Sequence, residues 1–241
     1  GMNLIDTAEM YGDGGAEFLI GRAIQDLVRE EIYLVSKIYP HNANWNSYLY
    51  ACENSLKRLN TDYLDLYLLH WRGMTPLSEV VACMEDLKSR GLILNWGVSN
   101  FDISDMEELF TVKDGENCTV NQVLHHLGSR GIEYSLLPWQ QKNNILTMAY
   151  SPLAQAGDLR KGLFGNTVLG RIAKSHEATV AQVLLAFLLS KPMVIPIPRT
   201  RNSERTRENA EAIEIKLSEE DLAALDREYP PPKKKLQLDI E

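Results

Sequence analysis

The chain has 241 residues, 44% of them hydrophobic and 24% charged, enough for one large domain or two small ones with a real core. A formal net charge of -8 argues against a nucleic-acid footprint and against a generally basic surface. Cys52, Cys83 and Cys118 are widely spaced with no C-x-x-C pair, which points to thiols in a reducing compartment rather than to disulfides or a zinc site.

The first residues carry no positive stretch ahead of an apolar one, and no apolar run is long enough for a bilayer. A cytoplasmic chain with no signal peptide and no membrane partner is expected. In chain order, residues 2–5 form a short apolar run. The polar stretch Asp6-Thr7-Ala8-Glu9-Met10-Tyr11-Gly12 follows, then helical spacing of apolar residues over 16–30. Asp6 is placed at a strand end and Tyr11 in the next loop. Gly12-Asp13-Gly14-Gly15 lacks the spacing of a dinucleotide fingerprint and reads as a turn.

The next strand covers residues 32–36, with Lys37 directly after it. A helix over 46–59 and a strand over 63–69 ending at His70 follow. Thr75-Pro76 reads as an N-cap and first helical residue, opening a helix that Gly91 stops. Strands over 92–98, 119–123, 145–150 and 193–197 come next. They bring Ser99-Asn100, Gln122, Ser151 and Arg199 to their ends. Helices are expected over 103–110, 137–143, 168–176, 180–189 and up to 212. A capping box at Ser218 to Asp221 opens the final helix. The stretch from Asp158 to Thr167 reads as a long irregular insertion.

Alternating strands and helices imply a parallel sheet covered by helices. In an open doubly wound sheet only the strands at the switch point reach the ligand. Here seven strands in a row place a polar residue at or just past the C-terminal end, namely Asp6, Lys37, His70, Asn100, Gln122, Ser151 and Arg199. A TIM (β/α)8-type barrel, whose strand ends all meet at one mouth, fits that better. A single barrel domain over residues 1–241 is expected.

Such a mouth would gather Tyr11, Lys37, His70 and Asp6. A phenol titrates near ~10, and a neighbouring ammonium favours its ionised form. Asp6 can pair with Lys37, and His70 can hydrogen-bond the substrate oxygen or the phenol. Together they could protonate an oxygen that gains negative charge, as in carbonyl reduction by hydride. No metal ligand set is expected: His125 and His126 are adjacent and would point to opposite sides of a strand. Arg199, Arg201, Arg205 and Arg207 suit a phosphate monoester. Tyr150 could stack on a flat ring.

These residues resemble the aldo-keto reductase family. The resemblance lies in Asp6-Thr7-Ala8-x-x-Tyr11-Gly12-x-x-x-x-Glu17-x-x-x-Gly21, in Asp65-Leu66-Tyr67-Leu68-Leu69-His70, and in Gly97-Val98-Ser99-Asn100-Phe101. It continues in Ile195-Pro196-Ile197-Pro198-Arg199-Thr200 through Arg205 and Glu208-Asn209. It implies an NADP(H)-dependent barrel with Tyr11 as general acid, supported by Lys37, Asp6 and His70. Ser99, Asn100 and Gln122 would hold the nicotinamide carboxamide, and Tyr150 would stack on that ring. Ser151 and Leu153 would meet the pyrophosphate. Arg199, Thr200 and Arg205 would hold the 2′-phosphate, and Glu208 and Asn209 the adenine. Gln122-Val123-Leu124 and Arg130-Gly131-Ile132-Glu133-Tyr134 resemble members that reduce small aldehydes.

Set against the family, the chain reads as strands two to eight, lacking the first strand and helix. A barrel with a gap or plug and weakened cofactor binding follows as an expectation. The partner is then a small carbonyl substrate, with a homo-oligomer possible. The alternative is a weakly active or inactive nucleotide-binding remnant, or an accessory subunit of the same fold.

Overall fold

The computed structural model describes residues 2–155 and 157–240. The chain divides into two compact units, residues 1–121 and 122–241.

In the first unit, strands β1 (Leu4–Asp6), β2 (Tyr33–Ile38), β3 (Leu64–Leu69) and β4 (Ile93–Ser99) pair in sequence order, all parallel. The register sets Asp6 opposite Val35, Lys37 opposite Leu68 and Leu69 opposite Val98. Because every pairing is parallel, the C-terminal ends of all four strands lie along one edge. Every residue of β3 and all but the first of β2 are buried, as in a parallel sheet covered on both faces. Lys37 lies inside β2, one residue before its end, rather than after the strand.

Helices α1 (Gly15–Ile24), α2 (Tyr48–Leu59), α3 (Leu77–Ser89) and α4 (Ile103–Leu109) alternate with these strands. Their buried residues, among them Cys52, Leu56, Val81, Met84, Leu87 and Met106, join Leu34, Leu66, Leu68, Trp96 and Val98 in the core. Full burial of each such large side chain is worth about 1.5–3 kcal/mol. α1 packs closely on α2 because Gly21 has no side chain. A Cβ there would lie 2.5 Å from the Arg58 carbonyl oxygen and 2.7 Å from the Leu59 carbonyl carbon.

The start of α3 differs from the sequence reading. Pro76, not Thr75, occupies the cap position, and no side chain caps the helix. Pro76 has ψ 138°, an extended value, so helical geometry starts one residue later. Gly91 ends the helix at φ +73°, the left-handed conformation expected of it.

β5 (Val120–Leu124) carries the chain from the first unit into the second. In the second unit, β6 (Leu146–Tyr150) and β7 (Val194–Pro196) pair in parallel, with Thr147 opposite Val194. Its helices are α5 (Leu136–Lys142), α6 (Gly157–Phe164), α7 (Thr167–Ser175), α8 (Val180–Leu189), α9 (Ser203–Glu211) and α10 (Glu219–Glu228). α8 is apolar nearly all round and mostly buried, the pattern of a core helix. Ser218 and Asp221 form the expected capping box on α10. No single helix among the described residues is long and apolar enough to cross a membrane.

The insertion expected to be irregular is largely α6. Three glycines obscured its period. Leu163 is buried at 1% exposure and Arg160 stacks on Phe164, four residues on, so packing overrides the glycine content.

Candidate active site

The chain leaves β1 and keeps pairing beside β2: Thr7 N–H donates to Val35 O at 2.9 Å, and Glu9 N–H to Lys37 O at 3.3 Å. It then closes a turn in which Tyr11 N–H donates to Ala8 O and Gly15 N–H to Gly12 O. Gly12, Asp13 and Gly14 take φ +59°, +52° and +86° in succession. Two of these three left-handed positions are glycines, as the sterics require. The Glu9 carboxylate accepts the Tyr39 N–H at 2.6 Å and the Asn42 amide at 3.1 Å, tying the turn to the end of β2. Sequence reasoning gave Glu9 no role, although it lies inside the signature stretch.

Lys37 is fully buried, and its ammonium has three acceptors. They are Asp6 Oδ2 at 2.7 Å, Thr7 O at 2.8 Å and the Tyr11 hydroxyl at 3.4 Å. Three N–H donors meet three acceptors, so the side chain is fixed in direction as well as place. Tyr11 itself is 38% exposed, so the turn holds a phenol that solvent reaches against a buried cation.

His70 follows β3 directly, and its N–H donates to Ile38 O at 3.0 Å. The imidazole lies edge-on to the Tyr11 ring, 5.7 Å between centroids. Burial, helped by the charge of Lys37, pushes its pKa down to about 4, so the ring is neutral at ordinary pH. Its Nδ1 is buried without a hydrogen-bond partner among the described residues. Trp71, 5.0 Å from His70, and Tyr39, 5.7 Å from Trp71, continue the aromatic surface, and the sequence reading had singled out neither.

Ser99 and Asn100 lie at the end of β4 beside His70. The Asn100 amide donates to His70 O and to Ser99 Oγ, both at 3.3 Å. Asn100 adopts φ +59°, a conformation asparagine tolerates better than most residues. The first unit thus brings together Asp6, Tyr11, Lys37, His70, Ser99 and Asn100.

In the second unit, Gln122 is buried in β5 with Nε2 4.0 Å from Met148 Sδ. Tyr150 and Ser151, at and just past the end of β6, are half-buried, as is Leu153. Ser151 takes φ +48°. After β7, Arg199 is exposed and Thr200 Oγ1 accepts the Asn202 N–H at 3.2 Å. Asn202 caps α9 through the N–H groups of Glu204 and Arg205. Along α9, Arg205 is exposed, Glu208 half-buried and Asn209 buried. Among the described residues, Arg199, Arg201, Arg205 and Arg207 have no carboxylate partner.

The stretch from Arg130 to Tyr134 is a clamp. Arg130 donates to Glu133 Oε2 at 2.7 Å, to Asp226 at 2.8 Å and to the Tyr229 carbonyl at 2.5 Å. Glu133 also meets His125 at 2.9 Å and Lys191 at 3.2 Å. Burial pushes the Glu133 carboxyl up, but the hydrogen bonds from His125 and Arg130 outweigh it and hold the pKa at about 2. His126 Nδ1 accepts the Gly128 N–H. Among the described residues no group of three or more His, Cys, Asp or Glu could hold a metal ion.

Known proteins carry the same arrangement of sequence. The profile of the Aldo/keto reductase family matches residues 1–229. The methylglyoxal reductase YeaE of Escherichia coli (strain K12) is 54% identical over 240 residues, which is 100% of this chain and 84% of that protein. The glyoxal reductase of Bacillus subtilis (strain 168) is 37% identical over 229 residues, 94% of this chain and 78% of that one. Among solved structures, an aldo/keto reductase from Klebsiella pneumoniae in complex with NADP and acetate superposes with a TM-score of 0.97 at 54% identity. It covers 100% of this chain and 85% of its own. A lysine, an aspartate, a tyrosine and a histidine gathered at parallel strand ends, inside a sequence this similar along its length, lead to one assignment: the chain belongs to the aldo/keto reductase family.

Proposed function

We propose that the chain is an NADP(H)-dependent oxidoreductase that reduces small aldehydes or ketones to alcohols, with Tyr11 as the general acid. The observation that carries this reading is the shared ammonium of Lys37. It joins the Asp6 carboxylate to the Tyr11 hydroxyl, with the neutral His70 ring alongside. Bound NADPH would supply the hydride.

The remaining work falls to side chains. A carbonyl oxygen that receives a hydride on its carbon gains negative charge and needs a proton. Tyr11 gives it one. The ammonium of Lys37 stabilises the phenolate left behind, and Asp6 and Thr7 O keep that ammonium aimed. A neutral imidazole carries a single N–H. With Nδ1 buried and unpartnered, the proton belongs on Nε2, because an orphaned buried N–H is the rarer and costlier arrangement. His70 then offers an N–H donor to the substrate oxygen.

The residues that fit the cofactor are the ones the family resemblance names. Ser99, Asn100 and Gln122 are amides and a hydroxyl suited to a carboxamide, and Tyr150 suits a flat ring. Ser151 and Leu153 are assigned to the pyrophosphate. Arg199, Thr200 and Arg205 are assigned to the 2′-phosphate, and Glu208 and Asn209 to the adenine. The exposed guanidinium groups of Arg199 and Arg205, with no carboxylate among the described residues, are in the state an anion site requires. In this reading residues 1–241 act as one reductase domain, with strands equivalent to the second to eighth of the family's (β/α)8 barrel. Methylglyoxal, named for the E. coli relative, is the first substrate to test. Purified protein should consume NADPH with methylglyoxal or another small aldehyde. No consumption across a panel of small carbonyls contradicts the proposal.

A further inference from the structure

The ladder between β1 and β2 loosens just before it delivers Tyr11. Thr7 N–H reaches Val35 O at 2.9 Å, but Glu9 N–H reaches Lys37 O only at 3.3 Å. Two residues beyond Lys37, the Tyr39 N–H goes to the Glu9 side chain rather than to main chain, at 2.6 Å. The Asn42 amide meets the same oxygen, Oε1, at 3.1 Å. An ionised acceptor holds such donors more strongly than a neutral one. Glu9 thus closes with its carboxylate a ladder that its backbone has begun to leave.

Both ends of this bridge lead to the proton-transfer centre. On one side Tyr11 lies two residues on, its N–H bonded to Ala8 O. The Tyr11 hydroxyl is 3.4 Å from the Lys37 ammonium, beyond the usual ~2.7–3.2 Å, so a small outward shift of the turn removes that contact. On the other side the Tyr39 ring meets Trp71 edge-on at 5.7 Å, Trp71 lies 5.0 Å from His70, and His70 lies 5.7 Å from Tyr11. Pro40 packs tightly on Gly73, where a Cβ would lie 2.4 Å from the Pro40 Cβ, so the loop after β2 and the loop that holds Trp71 are packed as one. The contacts make a closed circuit from Tyr11 through His70, Trp71 and Tyr39 to Glu9. The far side of the turn is held separately. Arg58 packs on Gly14 and donates to Glu17 at 2.6 Å, and Glu17 accepts the Ser36 hydroxyl. Opening the circuit at Glu9 therefore leaves the turn anchored to the helices and loosens Tyr11 against His70.

We propose that Glu9 is a positioning residue for the reaction. Its Oε1, by holding the Tyr39 N–H and the Asn42 amide, fixes the Tyr11 hydroxyl against Lys37 and against the wall that runs from Tyr39 to His70. Glu9 touches neither substrate nor cofactor in this role and acts through Tyr11. The inference rests on Tyr11 as the general acid.

Steady-state reduction of methylglyoxal, in H2O and in D2O, tests it. Glu9→Ala removes both acceptor contacts. It should lower kcat on the order of ten-fold or more, the cost of a misplaced reacting group, with NADPH affinity unchanged. The solvent isotope effect on kcat should rise, because proton delivery becomes the slower event. Glu9→Gln keeps an oxygen in the same place and should recover most of the rate. Asn42→Ala, which removes one of the two contacts, should show a smaller loss. Combined with Glu9→Ala it should add nothing, since the contact is already gone. A parent kcat or an unaltered isotope effect in Glu9→Ala overturns the inference, as do losses that add in the double variant. Should Glu9→Ala not fold, a parent rate in Asn42→Ala overturns it equally. A parent rate in Tyr11→Phe overturns the general-acid reading itself. A slow Tyr11→Phe beside a parent-rate Glu9→Ala overturns this inference alone.

Discussion

In the first unit, Lys37 commits all three N–H donors to Asp6, Thr7 and Tyr11, and the cation is sealed from solvent. In the second, Arg199 and Arg205 stand exposed, with no carboxylate partner among the described residues. The same kind of group, a long cationic side chain, is held in two opposite ways. A proton-transfer centre needs its charges fixed before the substrate arrives, because reorganisation during the reaction costs rate. An anion-binding region needs its charges unneutralised until the ligand supplies the partner. The difference teaches that a cation's role can be read from what already satisfies it.

Removing one charge from each region tests that contrast. Asp6→Asn leaves a buried ammonium without its counterion, and breaking such a pair costs about 3–5 kcal/mol. Thermal or urea unfolding should show the largest loss of stability here. A variant as stable as the parent would mean that Lys37 is not held as a committed ion pair. Arg205→Gln should leave the unfolding midpoint unchanged. It should weaken NADPH on the order of ten-fold while sparing NADH, which has no 2′-phosphate. Equal losses for both dinucleotides would break the assignment of Arg205.

The smallest expected effect concerns acid, and both regions share it. His70 and His126 are buried, and burial pushes each pKa down to about 4. Unfolded histidine titrates near ~6.5. Between those values the unfolded chain holds more protons than the folded one. Stability is therefore complete above about pH 6.5 and drains as pH falls through about 4. Denaturant midpoints taken between pH 7 and 4 should fall, and His126→Asn should flatten the decline. A flat profile in the parent protein would show that these rings are not held neutral by burial.

The strand ends were legible because apolar runs stop abruptly at polar residues. Asp6, His70 and Ser99-Asn100 could each be placed from that pattern, and the first-unit geometry brings them beside Lys37 and Tyr11. Lys37 was placed one step late, since a charged residue inside a buried strand looks like its end. α6 was hidden because Gly157, Gly162 and Gly165 weaken every local signal for a helix. Only the burial of Leu163 and the stacking of Arg160 on Phe164, both tertiary facts, reveal it. Glu9 escaped for a related reason: its partners, the Tyr39 N–H and the Asn42 side chain, lie some thirty residues away. The clamp of Arg130, Glu133 and His125 reaches Asp226 and Tyr229 near the far end of the chain, which no local pattern could disclose.

The central claim is that the hydroxyl of Tyr11 delivers the proton. NADPH consumption with methylglyoxal, measured side by side for the parent protein and Tyr11→Phe, tests it most directly, with NADPH affinity recorded for both. The account predicts turnover reduced by ~10²–10⁴-fold with cofactor affinity unchanged. A phenylalanine variant that reduces the aldehyde at the parent rate would contradict it.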